Sequence, residues 1–110
     1  MAKRRLLRCV IAVTILGAMS ATVLAQTAVS VARGKDLAER ACSGCHAITG
    51  NEPRTIQGRL VPSLSSIAGG PNGTTERLKA IISTPRHPMP ATPLALSDIN
   101  DLTAYIRSLR

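Results

Sequence analysis

The sequence predicts an all-α domain of three to four helices joined by long loops. Three observations carry this reading. Apolar residues recur at i, i+3 and i+4 in separate stretches, which is the period of a helix with one buried face. Clusters of glycine and proline lie between those stretches and break any longer element. No run shows the strict alternation of a strand, and there is no internal repeat or low-complexity segment.

Before the first helix, MAKRRLLR places Lys3, Arg4, Arg5 and Arg8 ahead of an uncharged run, Val10 to Ala25, that ends in Val23-Leu24-Ala25. A basic start, an apolar middle and small residues at the end are the pattern of a secretory signal peptide over residues 1–25. The rival is a membrane anchor, but the run has 16 residues, against about 20 for a span. Cleavage after Ala25 removes Cys9 and leaves one domain, residues 26–110, in the periplasm or outside the cell. A membrane enters only if this segment is retained.

The first helix is expected from about residue 31 to 43. Ser30 is its cap, Val31, Leu37, Ala38 and Ala41 form its apolar face, and Asp36 with Arg40 is a favourable i,i+4 pair. From Thr49 to Gly73 the chain is loop-like, with a short turn of helix over Ser63–Ala68. A loop of that length is uncommon in a small domain unless it wraps something. Thr74-Thr75-Glu76 then starts a helix, with a threonine cap and an acid in its first turn; its stripe is Leu78, Ile81 and Ile82, and it stops by Thr84 because Pro85 follows. PRHPMPATP, with four prolines in nine residues, is stiff and extended. In the last helix Ser97 is the cap, Asp98 and Asp101 complement the positive end, and Ile99, Leu102, Ile106 and Leu109 form the buried stripe.

Composition narrows the function. Four of the fourteen basic residues fall in the first eight positions, so the remaining ten exceed the six acidic residues by only four. Without a basic run or stacking aromatics, nucleic-acid binding is disfavoured. A mild positive charge suits docking on acidic protein surfaces. The domain has no Phe and no Trp, and Tyr105 is its one aromatic. So small a chain with so thin a core usually needs a staple. Cys42 and Cys45 close too short a loop to act as a general disulfide staple, which leaves a bound group that supplies apolar bulk.

That group is indicated by Cys42-Ser43-Gly44-Cys45-His46. C-x-x-C-H is a signature of covalent haem attachment: two thiols bond the haem, and the adjacent histidine faces the iron. A zinc site needs four ligands, and a second ligand pair is missing. A redox disulfide expects a strand–helix setting that this chain does not offer. Haem calls for a second axial ligand. Met89, 43 residues beyond His46, stands between Pro88 and Pro90, which hold its thioether in place. Ligation by His46 and Met89 is a pairing used for electron transfer. His87 is the competing ligand. Both axial positions filled suit a one-electron carrier rather than an enzyme. A haem enzyme or gas sensor that releases Met89, and a haem subunit of a larger dehydrogenase or oxidase complex, are the alternatives.

On these residues, together with Pro62-Ser63-Leu64, Met89-Pro90 and the ending from Leu96-Ser97-Asp98 through Asp101 to Ile106, the chain resembles small bacterial class I cytochromes c over roughly residues 31–110. The resemblance implies a small class I cytochrome c fold, its helices and long loops wrapped around one covalently bound haem c. It implies that the first and last helices cross at Gly34, with Leu102 and Tyr105 facing it. The position where that family often carries an aromatic is Ala38, which implies a looser contact or one filled from Leu37. Pro62 matches the proline whose carbonyl takes a hydrogen bond from the axial histidine. Leu64, Ile67, Leu78, Ile82 and Leu94 are the expected haem neighbours. Partners would be redox proteins such as an oxidase, reductase or dehydrogenase, with Lys79 and Arg86 as candidate docking charges.

Overall fold

The computed structural model describes residues 28–86 and 88–110. The expected signal peptide, Cys9 and His87 lie outside them. The described residues form α1 (Val31–Ala41), β1 (Arg54–Ile56), β2 (Arg59–Val61), α2 (Leu64–Gly69), α3 (Thr75–Ser83) and α4 (Leu96–Ser108). The architecture is mostly helical, as expected. No helix among the described residues is long and apolar enough to cross a membrane.

The crossing of α1 and α4 is the principal packing of the domain, and α2 and α3 pack against α4. Ser30 caps α1, its hydroxyl accepting the Arg33 N–H at 3.2 Å. Gly34 and Ala38, one turn apart, are the buried positions of α1. A Cβ at Gly34 would stand 2.6 Å from the Asp101 carbonyl carbon and 2.8 Å from the Tyr105 Cβ. Only glycine lets the two backbones come this close. The atoms nearest Gly34 therefore belong to Asp101 and Tyr105, while Leu102 is buried and turned to the cavity described below. Ala38 is fully buried and Leu37 only partly so. The close crossing makes a large side chain unnecessary there, so the contact is neither loose nor filled from Leu37.

The core is small: Ala38, Leu64, Ala68, Leu78, Ile82, Ile99, Leu102, Tyr105 and Ile106. Three polar ties hold the helices around it. Arg107 donates to the Thr75 hydroxyl at 2.6 Å, joining α4 to α3. Arg110 donates to the Ala68 and Gly73 carbonyls at 3.0 and 2.6 Å, closing the end of α2. Ser63 caps α2 and is fully buried, its hydroxyl also donating to the Asn51 carbonyl at 3.1 Å.

Five expectations are corrected. The stretch expected to be loop contains an antiparallel hairpin in which Ile56 pairs with Arg59 and Arg54 with Val61. Its two-residue turn, Gln57-Gly58, has φ of 50° and 74°, the left-handed conformation that matches the twist of paired strands. Helix α1 ends at Ala41, two residues earlier than expected, and the i,i+4 pair it forms is Lys35–Glu39 at 3.6 Å rather than Asp36–Arg40. Helix α4 starts at Leu96, so Ser97 lies inside the first turn. The Asp98 carboxylate accepts the Ala95 N–H at 3.2 Å and closes that end instead. Asp101 does not serve the start of its own helix. It is 2 % exposed and reaches the start of α1, accepting the Ser30 N–H at 2.6 Å and the Arg33 Nε–H at 2.8 Å.

Candidate functional site

The CSGCH motif begins where α1 stops. The Cys42 N–H still bonds the Ala38 carbonyl at 2.8 Å, and the Cys45 and His46 N–H groups both turn back to the Cys42 carbonyl, at 3.1 and 2.9 Å. This last turn presents Cys42 and Cys45 to one cavity. Both are unpaired thiols, half-buried, and burial pushes the Cys42 thiol up from its ordinary pKa. Among the described residues, no three His, Cys, Asp or Glu side chains are grouped so as to hold a metal ion by themselves.

Two bonds fix the segment after the motif. His46 Nδ1 stands 2.8 Å from the Pro62 carbonyl oxygen. One residue further, the Ala47 carbonyl accepts the Leu64 N–H at 3.0 Å. A ring whose Nδ1–H is donated to a carbonyl has its Nε2 free as an acceptor, the tautomer in which imidazole binds iron.

The cavity is about 820 Å3, and Cys42, Cys45, His46, Pro62 and Met89 all line it. Thus the five residues expected from the sequence, drawn from three separate segments, meet at one site. Met89 is brought in by the proline segment, where its N–H bonds the Arg86 carbonyl at 3.0 Å. Of the expected apolar neighbours, Ile82 and Leu94 line the cavity. Leu64 and Leu78 sit in the helical core instead, and Ile67 packs against that core. The hairpin supplies what sequence reading missed: Ile56, Leu60 and Val61 form an apolar wall, with Arg59 at its edge. The signal was present in the β-branched residues on either side of Gln57-Gly58, but each strand is only three residues long.

A largely apolar cavity lined by two thiols, an imidazole and a thioether fits a haem. Among the described residues no Asp or Glu carboxylate lines it, and the soft sulfur and imidazole donors that do are of the kind that bind haem iron. A second, more open groove of about 630 Å3 runs along α3, lined by Asn72, Arg77, Ile81 and Arg86 among others, and Met89 borders both spaces.

The comparisons agree with this geometry. The Cytochrome c family model matches residues 31–110. A cytochrome c-552 of Bradyrhizobium diazoefficiens is 35% identical over 83 residues, which cover 76% of this chain and 78% of that protein. No solved structure gives a significant match. The matched segment runs from α1 to the last residue and contains every residue that lines the cavity, and the chain belongs to the cytochrome c family, with covalently attached haem c as its cofactor.

Proposed function

We propose that this cytochrome c family member is a periplasmic one-electron carrier whose haem is bonded by Cys42 and Cys45 and whose iron is held by His46 on one face and Met89 on the other. The observation that carries the reading is the pairing of His46 Nδ1 with the Pro62 carbonyl at 2.8 Å in a cavity that Met89 also lines. The haem supplies the ferric–ferrous couple. The chain supplies everything that tunes it. The Pro62 carbonyl orients the His46 ring and fixes its tautomer. Pro88 and Pro90 hold Met89 so that its thioether, a soft donor, favours the ferrous state and raises the potential. Ile56, Leu60, Val61, Ile82 and Leu94 would pack against a bound haem and shield it from water.

Residues 1–25 act as the export signal in this reading, and the partners are larger redox proteins. Arg77 and Arg86, in the groove that Met89 borders, give an acidic partner surface a place to dock beside the iron ligand.

The test is spectroscopic. A pyridine haemochrome of the purified protein should show haem c, and the ferric protein should show a sulfur-to-iron charge-transfer band. Substitution Met89→Ala should abolish that band, lower the midpoint potential and let the reduced protein bind carbon monoxide. Rapid carbon monoxide binding by the unsubstituted protein at neutral pH would count against the carrier and in favour of a haem enzyme or sensor.

A further inference from the structure

Arg59 is the one residue with a formal charge among the described residues that line the haem cavity. The rest of the lining is apolar or neutral apart from the Cys42, Cys45 and His46 side chains already assigned. A haem brings two carboxylates to such a site, and a carboxylate at a largely apolar wall is unfavourable without a cationic or hydrogen-bonding partner. Arginine is suited to that task because its planar fork matches a carboxylate with two parallel bonds.

The hairpin that carries Arg59 is built as a unit. Ile56 and Arg59 are cross-strand partners that flank a two-residue turn, so Arg59 is fixed relative to the apolar wall. Leu60, its neighbour, lines the same cavity and is 72% exposed, a large apolar surface that a bound group would cover. The other end of the hairpin is tied to the attachment motif itself: the Arg54 guanidinium donates to the Ser43 carbonyl, inside CSGCH.

We infer that the Arg54–Val61 hairpin is a haem clamp in which Arg59 pairs with a haem carboxylate and Arg54 locks the hairpin to the attachment loop. The inference rests on the proposed covalent haem. Arg59 is a binding residue for the cofactor, and Arg54 is a positioning residue that acts through the hairpin.

Four haem-loaded proteins test this: the unsubstituted chain, Arg59→Gln, Arg59→Lys and Arg54→Gln. Haem content is checked first by pyridine haemochrome. Resonance Raman then reads the carboxylate-bending band, and potentiometry reads the midpoint potential at alkaline pH, where the carboxylates are ionised. Arg59→Gln should move the band and lower the potential, since an unpaired carboxylate stabilises the ferric state. Arg59→Lys should bring the potential back toward that of the unsubstituted chain. Arg54→Gln should leave the band in place while speeding amide exchange across residues 54–61. Fully loaded Arg59→Gln with an unmoved band and potential overturns the clamp. So does an Arg54→Gln protein whose band moves as far as that of Arg59→Gln. A haem-free preparation of the unsubstituted chain overturns the proposed function itself, and the clamp with it.

Discussion

The carboxylate of Asp101, midway along α4, accepts the backbone N–H of Ser30, the residue that caps α1, at 2.6 Å. The same carboxylate pairs with Arg33 Nε at 2.8 Å. An acid from the last helix thereby sits at the positive end of the first, where a negative charge is most favourable. The bond to Arg33, then the Ser30 N–H, holds the Asp101 carboxyl below the ordinary carboxylate pKa. A depressed folded-state pKa means that the stabilisation is complete above the unfolded value, about 3.9, and is lost as the pH falls through the folded one. Asp101→Asn should therefore lower stability near neutral pH by about 1.5–3 kcal/mol, the range for hydrogen bonds made by a charged group. The gap between the two proteins should stay level down to about pH 5 and close below about pH 4. Thermal melts followed by circular dichroism across that range check it. A gap that widens on acidification would show that Asp101 acts by some other means.

Gly34 sets the depth of the same crossing. A methyl group there meets the Asp101 backbone and the Tyr105 Cβ, and neither can swing away as the tip of a long side chain does. Alanine gains about 1 kcal/mol in helix propensity over glycine, but overpacking costs about 1–3 kcal/mol, and the clash is with backbone. Gly34→Ala is expected to destabilise by up to about 2 kcal/mol net, toward the upper end because backbone cannot give way. Gly69→Ala is the control: nothing lies within 4 Å of a Cβ there, and its change should be neutral or stabilising. Urea midpoints of the two variants decide the matter, and equal midpoints would remove the close-contact role of Gly34.

These two residues also show where the sequence is legible and where it is not. The Ser30 cap, the threonine cap of α3 and the end of α3 before Pro85 depend on neighbours three or four residues away, so local pattern reveals them. Cys42, Cys45 and His46 are equally local. Asp101 looks like a helix-start acid because its partners, Ser30 and Arg33, are 71 and 68 residues distant. The hairpin is hidden for a different reason. Three-residue strands carry almost no period, and Gln57 takes a left-handed conformation usually given to Asn, Asp or Gly. Arg59 at the cavity edge was hidden with it.

Thr103 offers a stabilising change. It is 2% exposed on α4, and its hydroxyl oxygen has no hydrogen-bond partner. Valine has nearly the same shape and the same β-branching, and it removes the unpaired group. Replacing a buried unsatisfied polar atom by an apolar isostere should be favourable by about 1 kcal/mol, or roughly 4–8 °C in melting temperature for a domain of this size. Calorimetry of Thr103→Val checks it. An unchanged or lower melting temperature would mean that the hydroxyl is satisfied in solution.

A haem in the cavity is expected to complete the core of the domain. Among the described residues nine buried apolar ones form the core, two of them alanine and only one aromatic, which is thin for a chain that must offset the entropy of ordering its long loops. The cavity of about 820 Å3 opens beside that core, with Leu102 and Ile82 belonging to both. Filled by a porphyrin, it extends the core across to the hairpin and the Met89 segment; filled by water, it leaves Leu60, Val61 and Leu94 hydrated and those two segments with few contacts of their own. The double substitution Cys42→Ala/Cys45→Ala removes covalent attachment while changing little protein volume. Its haem-free product should show reduced far-UV helicity and a broad, non-cooperative melt, and the α1–α4 crossing should be the last structure to lose amide protection. Native-like helicity with a sharp melt in that double variant would sink the claim that the cofactor completes the core.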